Sequence, residues 1–105
     1  MIKVLLVDDD KMSAVLLKNL LEKKEIECTY VSDANDVFYH IEKEQFDVVL
    51  LDIMMPKISG IELLTQIRKE YNLYDLPVIM VTAKDEALDI VEALKKEPMT
   101  ILLNL

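Results

Sequence analysis

Three short, wholly apolar runs constrain the fold of this chain more than any other feature of its sequence. The runs are Val4–Val7, Val48–Leu51 and Val78–Val81. A continuous apolar run of this length is typical of a strand whose two faces are both buried, as in a parallel sheet. Each run ends at a polar residue, which predicts that the strand leaves the core at that point.

Longer segments with helix-type spacing of apolar residues lie between and after these runs. Asp33 and Asp85 are suitable N-caps, and Ser59 with Glu62 forms a capping box that opens a helix. The expected buried faces are Met12, Val15, Leu16, Leu20 and Leu21 in a helix from Lys11 to Lys24, Ala34, Val37, Phe38 and Ile41 in the second helix, Ile61, Leu64 and Ile67 in the third, and Ala87, Ile90, Val91 and Leu94 in the fourth.

Strands and helices therefore alternate along the chain, which predicts an α/β fold with helices on both faces of a parallel sheet. Residues 26–32 alternate apolar and polar side chains and fit an edge strand. Met99–Leu105 is a candidate fifth strand after Pro98. The expected architecture is a flavodoxin-like, doubly wound sheet of strand order 2-1-3-4-5, formed by residues 1–105 as one domain.

Composition excludes several classes of protein. The chain has 52% hydrophobic and 30% charged residues, which argues against a disordered segment. Its longest apolar runs are far shorter than the roughly 20 residues of a membrane-spanning helix, and no signal peptide is recognised at the start. Twenty acidic against twelve basic residues argue against nucleic-acid or anionic-membrane binding. Because Cys28 is the only cysteine, we expect no internal disulfide and a cytoplasmic location.

The polar residues that end the apolar runs are the candidate site. Asp8 and Asp9 follow the first run, Asp52 the second and Thr82 the third. The carboxyl ends of parallel strands share one edge of a sheet, so these residues should converge there. Carboxylates held this close repel one another, and a divalent cation relieves the repulsion. Oxygen-only ligands with room for water favour Mg²⁺. An alternative is that the aspartates only begin turns or cap helices.

These motifs together resemble the response-regulator receiver domain of two-component signalling. The resemblance rests on Asp8-Asp9 after an apolar run, on Asp52-Ile53-Met54-Met55-Pro56 with Gly60 following, and on Thr82-Ala83 after the fourth strand. It covers residues 2–97 with the elements in the expected order. The resemblance implies a flavodoxin-like fold and a signalling switch that assists its own phosphorylation and dephosphorylation.

The resemblance also implies a role for each site residue. Asp52 would accept a phosphoryl group from a histidine kinase, a phosphotransfer protein or a small acyl phosphate. Asp9 and Asp52 would bind Mg²⁺ together with the backbone carbonyl of Met54, while Asp8 would act mainly through water. Thr82 and Ala83 would contact the phosphoryl group. Pro56 would fix φ in the loop after Asp52, and Gly60 would let the backbone pass close to the site or serve as a small residue near a helix start.

The C-terminal residues depart from the family pattern. Asn104 stands where receivers carry a lysine, and residues 98–105 are atypical. A neutral amide forms a weaker hydrogen bond to a phosphoryl group than a charged amine does. A fifth helix is not recognised, so we expect an uncovered sheet face. That face, or the apolar tail, would then pair in a homodimer or strand-exchanged oligomer. A truncated chain is the alternative.

Two other functions compete with phosphoryl acceptance. One is a pseudo-receiver, a protein-interaction module that keeps the fold but does not signal through phosphate, and Asn104 is its main support. The other is a flavodoxin-type protein that binds a nucleotide or flavin. The turn after the first strand carries three aspartates and no glycine, which is unsuited to a phosphate without a metal.

Overall fold

The computed structural model describes residues 2–52, 60–72 and 74–81. Four strands and three α-helices alternate in this part of the chain. They are β1 (Lys3–Val7), α1 (Lys11–Lys23), β2 (Glu27–Val31), α2 (Val37–Lys43), β3 (Val48–Asp52), α3 (Gly60–Glu70) and β4 (Val78–Val81). A short 3-10 turn, Ala34–Asp36, precedes α2, and the Asp33 side chain caps it by accepting a hydrogen bond from the Asn35 N–H. The predicted fourth helix and fifth strand fall outside the described residues.

The four strands form one parallel sheet of order β2-β1-β3-β4. The pairings join Leu6 to Tyr30, Val7 to Leu51, and Asp52 to Val81. This order confirms the flavodoxin-like, doubly wound architecture for the described strands. The chain changes direction across the sheet between β1 and β3, and in such folds ligands bind outside the carboxyl ends of the strands at this switch point.

Two apolar clusters fill the two faces of the sheet. On the first face, α1 packs over side chains of β1, β2, β3 and β4, including Val4, Leu6 and Leu50. On the second face, α2 and α3 contribute Val37, Ile41, Leu63 and Ile67 to a separate cluster. β1 and β3 therefore have both faces buried, as their continuous apolar runs predict.

The buried face of α1 differs from the sequence prediction. Ala14, Leu17 and Leu21 are the buried residues of this helix, whereas the predicted core residues Met12, Val15, Leu16 and Leu20 are 38–77% exposed. Only Leu21 was predicted correctly. Three residues connect β1 to α1. The small residue Ala14 is fully buried in the cluster between the helix and the sheet.

Two smaller predictions also need correction. In α3, Leu63 is buried with Ile67, whereas Leu64 is only partly buried. The expected uncovered sheet face is absent from the described strands, because Val48, Leu50 and Ile79 on the α1 side are at most 3% exposed. Among the described residues, no helix has both the length and the apolar character that crossing a membrane requires.

Candidate functional site

The strand register brings two predicted site residues to the same level of the sheet. Val7 on β1 pairs with Leu51 on β3, so the next residues, Asp8 and Asp52, stand side by side at the carboxyl edge. On its other side Asp52 pairs with Val81, the last residue of β4. The backbone thus places Asp8 and Asp52 together, while the side chain of Asp52 lies outside the described residues.

Asp8 is the only charged side chain fully buried in the described part of the chain. Its backbone N–H donates to the Val31 carbonyl at 3.2 Å, which continues the β1–β2 ladder by one residue. Its Oδ1 accepts a hydrogen bond of 3.0 Å from the Asp10 N–H. Burying a carboxylate is costly unless other groups compensate its charge. The position of Asp8 is therefore well suited to holding a cation or a water that binds one.

Asp9 and Asp10 continue this edge into solvent, and both are exposed. Asp10 stands at the N-cap of α1, where its carbonyl accepts a 3.0 Å hydrogen bond from the Ala14 N–H. Its Oδ2 accepts another of 2.7 Å from the Ser13 hydroxyl. Negative charge before a helix N-terminus is favourable. The helix thereby stabilises the acidic turn, while the exposed carboxylate of Asp9 is accessible to an ion from solvent.

The negative charge of this turn acts on a tyrosine of the neighbouring strand. Tyr30 packs against the apolar cluster beneath α1, and its hydroxyl oxygen is buried without a hydrogen-bond partner. Burial raises the pKa of Tyr30, and the charges of Asp8, Asp10 and Asp9 raise it further. The polar side chain of Ser32, close to the hydroxyl, lowers the pKa of Tyr30. The tyrosine hydroxyl thus lies within the electrostatic reach of the candidate site, a relationship that the sequence prediction missed.

The donor set at this edge fits a hard cation. Carboxylate oxygens and backbone carbonyls are the ligands that Mg²⁺ prefers, and an exposed Asp9 leaves room for coordinated water. Within the described side chains, no three of His, Cys, Asp or Glu gather closely enough to hold a metal ion. The carboxylate of Asp52 is not one of these described side chains. Among the carboxylates of the predicted metal site, the described side chains are therefore those of Asp8 and Asp9.

The remaining predicted site residues are placed as follows. Gly60 is the first residue of α3 and does not have a positive φ, so its position there does not depend on the left-handed conformation. Both roles predicted for Gly60, a close approach of the backbone and a small residue near a helix start, stay predictions. Five predicted site residues lie outside the described residues: Met54, Pro56, Thr82, Ala83 and Asn104.

The sequence prediction also missed an exposed apolar stripe on α1. The stripe consists of Met12, Val15, Leu16 and Leu20, with exposed fractions of 77%, 38%, 61% and 41%. Spacing of three and four residues places these side chains on one side of the helix. The helix begins directly after Asp10, so the stripe starts beside the acidic turn. The missed signal was the second apolar set, Ala14, Leu17 and Leu21, which competes for the same helix.

Comparison with known protein families identifies the family of this chain. The sequence model described as "Response regulator receiver domain" matches residues 4–103, nearly the whole chain. The chain belongs to the response regulator receiver domain family. It is therefore a receiver domain of the kind found in two-component systems, and the predicted resemblance is confirmed.

Solved structures agree with this assignment. The receiver domain of the Francisella response regulator 1452 is 37% identical, with a TM-score of 0.69, and the match covers 90% of this chain and 77% of that one. The Thermotoga maritima response regulator TrrA, crystallised in complex with Mg²⁺-BeF, is 26% identical, with a TM-score of 0.70 and coverage of 90% and 99%. A chain in the complex of histidine kinase ThkA with TrrA is 34% identical, with a TM-score of 0.71 and coverage of 79% and 70%.

Proposed function

We propose that this receiver accepts a phosphoryl group on Asp52 in a reaction that depends on Mg²⁺. The observation that carries the proposal is the register between β1 and β3, which sets Asp52 beside the buried Asp8 at the switch point of the sheet. Asp52 is also the residue of the family motif that would act as phospho-acceptor. The aspartates at this edge of the sheet suit chemistry that a bound cation assists.

The metal would be held by Asp9, Asp52 and the Met54 carbonyl, with Asp8 acting through a coordinated water. TrrA, a structural relative, was crystallised in complex with Mg²⁺-BeF, which supports this choice of ion. A bound Mg²⁺ supplies charge neutralisation for the phosphoryl oxygens. The buried Asp8 would orient the coordinated water. The exposed Asp9 would lose water from its carboxylate when the ion binds to it from solvent.

In the transfer itself, a carboxylate oxygen of Asp52 attacks the phosphorus atom. The new P–O bond forms while the bond from phosphorus to the donor breaks, and the donor, a carboxylate oxygen or an imidazole nitrogen, keeps the electron pair. Thr82 and Ala83 would hydrogen-bond the transferred group through the hydroxyl and the backbone. Asn104 would donate a neutral hydrogen bond where other receivers supply a charged one. The oxygens of the phosphoryl group on Asp52 should therefore be stabilised less than in other receivers.

The stripe on α1 (Met12, Val15, Leu16 and Leu20) is the surface that we assign to the phosphoryl donor protein. Exposed apolar patches on small proteins commonly mark interaction sites. A protein docked on this stripe would place its own phosphorylated residue beside the acidic turn at the start of the helix. The ThkA–TrrA complex supports a histidine kinase as that partner. Four partly exposed side chains suit a brief encounter, since a stable dimer buries about 800 Å² on each partner.

A second function, the pseudo-receiver, is favoured by one specific residue, Asn104. In that case the fold and the Mg²⁺ site would persist, but the chain would bind partners without phosphoryl transfer. Self-association through the tail, residues 98–105, also stays a prediction, because that segment lies outside the described residues. Light scattering during size-exclusion chromatography tests it: deletion of the tail should convert an oligomer to a monomer, and a monomer before deletion would contradict the prediction.

One experiment separates the two functions. The chain is incubated with a small acyl phosphate, with and without Mg²⁺, and its intact mass is measured. We expect a phosphoryl adduct that requires Mg²⁺, is absent from Asp52→Asn, and persists in Asp75→Asn, a matched control at an exposed loop position. Mg²⁺ binding without any adduct would favour the pseudo-receiver instead.

A companion experiment tests the docking surface. With a histidine kinase that phosphorylates the wild-type chain, Leu16→Asp should slow transfer at least tenfold, because a charge replaces apolar contact area. The same variant should react normally with acyl phosphate, which needs no docking. Tyr74→Asp is the matched control, since Tyr74 is 68% exposed and lies before β4 rather than on α1. Equal slowing by both variants would contradict the assignment.

A further inference from the structure

The hydroxyl of Tyr30 has a position that neither core packing nor the family motif explains. Tyr30 lies on the edge strand β2 and is the register partner of Leu6 on β1. Its ring packs on the α1 side of the sheet, in the same cluster as Leu6. The ring thus serves as apolar filling, as an edge-strand tyrosine commonly does. Its hydroxyl requires a separate account.

The register determines which residue the hydroxyl can reach. Side chains two residues apart on a strand point to the same face, so Asp8 shares its face with Leu6 and with the ring of Tyr30. Asp8 is therefore the diagonal neighbour of Tyr30, a separation of about 7–8 Å between α-carbons that a long side chain can span. The Asp8 N–H bond to Val31 shows that the two strands are still paired at this level.

The buried hydroxyl lacks a partner that it needs. It is the one buried side-chain oxygen or nitrogen atom in the described part of the chain that has no hydrogen bond. Leaving such a group unsatisfied is costly, so a nearby acceptor should be used when the site adopts its working arrangement. The charges that raise the pKa of Tyr30 come from Asp8 first, then Asp10 and Asp9, in agreement with the diagonal placement.

Asp8 can accept this additional hydrogen bond. A carboxylate offers about four acceptor positions, so it can accept a further hydrogen bond besides that from the Asp10 N–H to Oδ1. A tyrosine O–H rotates about its C–O bond and can turn toward either oxygen. Such a bond would fix the orientation of a carboxylate that faces a cation, as outer partners of metal-binding groups do.

We propose that the Tyr30 hydroxyl is a positioning group of the magnesium site, donating a hydrogen bond to the Asp8 carboxylate when that carboxylate faces the cation. The inference rests on the proposed function, because it assigns Tyr30 a role at the same site. Tyr30 does not touch the metal or the phosphoryl group. It acts by reducing the number of orientations that Asp8 can adopt.

Mg²⁺ titration by calorimetry tests the proposal at fixed pH and ionic strength. Loss of an outer partner typically lowers metal affinity about 10-fold to 100-fold, so Tyr30→Phe should raise the Mg²⁺ dissociation constant about tenfold. Tyr39→Phe removes a hydroxyl from a side chain that is 55% exposed on α2 and should leave the constant within about twofold of wild type. In an Asp8→Asn background, Tyr30→Phe should have no further effect, since their coupling is lost.

A purely structural role for Tyr30 gives a different pattern. In that case Tyr30→Phe would change the free energy of unfolding without Mg²⁺ and leave Mg²⁺ affinity unchanged, which would overturn the proposal. A loss of affinity reproduced by Ser32→Ala would also overturn it, because the partner would then be Ser32. Asp52 phosphorylation of the wild type is measured in parallel. If that adduct is missing, the proposed function fails, whereas a normal adduct with unchanged Mg²⁺ affinity in Tyr30→Phe refutes only the role of Tyr30.

Discussion

Val7 and Leu51 are direct partners in the parallel ladder between β1 and β3. This single pairing sets the level of the residues that follow, so Asp8 and Asp52 leave the sheet side by side at its switch point. A shift of the register by one residue would move the two aspartates apart and turn one of them to the opposite face. The buried clusters on both faces hold the register in place.

Helix α1 offers a direct test of which of its two apolar faces forms the core. Leu17 is 2% exposed and Leu16 is 61% exposed, although they are neighbours of the same residue type. Leu17→Ala should lower the free energy of unfolding by about 2–5 kcal/mol, because it opens a cavity in the core. Leu16→Ala should change it by less than about 0.5 kcal/mol. Urea unfolding measures both, and equal losses would show that the helix is rotated differently.

The turn after α1 contains a strained residue. Glu25 has φ of 64°, in the left-handed region that favours glycine. Glu25→Gly should therefore raise the free energy of unfolding by about 0.5–1 kcal/mol. This gain is the backbone strain that glycine relieves, minus the extra conformational entropy that glycine loses on folding. Lys24→Gly is the matched control, since Lys24 has φ of −94° and gains nothing from glycine. Chemical denaturation measures the free energy of unfolding of both variants. A Glu25→Gly variant less stable than the wild type would show that Glu25 is not strained.

Cys28 should be inert in the folded protein. Its side chain is buried, and burial raises the pKa of the thiol from 9.0 to about 12. A raised pKa means that stability from the buried neutral thiol is complete below about pH 9 and is lost progressively as the pH rises toward 12. At pH 8 a water-soluble thiol reagent should react slowly with the native chain and rapidly in urea. Rapid reaction with the native chain would contradict this burial.

Mg²⁺ should stabilise the fold through Asp8. At a free concentration of about 100 times the dissociation constant, binding adds about 2.7 kcal/mol to the free energy of unfolding. If Asp8→Asn weakens binding tenfold, the gain at the same concentration falls to about 1.4 kcal/mol. Asp36→Asn, at an exposed position before α2, should keep the full gain. Thermal or urea unfolding with and without Mg²⁺ measures the difference, and equal gains in both variants would exclude Asp8 from the site.

The strands and their order could be predicted from the sequence because their patterns have one interpretation. Val48 to Leu51 do not alternate between apolar and polar residues, and a run this short fits a strand covered on both faces better than a helix. Residues 26–32 alternate, and the structure places β2 at the sheet edge with pairing to β1 alone. The convergence of Asp8 and Asp52 followed from this topology, without knowledge of any side-chain contact.

The helix faces were harder to predict, because α1 is apolar on more than one side. Its larger residues gave the stronger pattern, but Ala14 and Leu17 pack against the sheet. Nothing in the periodicity distinguishes a buried apolar stripe from an exposed apolar stripe of the same spacing. The neighbourhood of Tyr30 could not be predicted either, since it depends on the pairing of Leu6 with Tyr30 and on which face the ring occupies.

In the proposed site, one bound cation joins the ends of β1 and β3. A Mg²⁺ titration followed by amide ¹H–¹⁵N NMR spectra reports on both strand ends at once. The amide signals of Asp9 and Asp10 should shift together with those of Asp52 and Met54, with one common dissociation constant, and Asp52→Asn should weaken all of these shifts. Shifts confined to one strand end, or two unrelated dissociation constants for the two ends, would contradict a shared cation site.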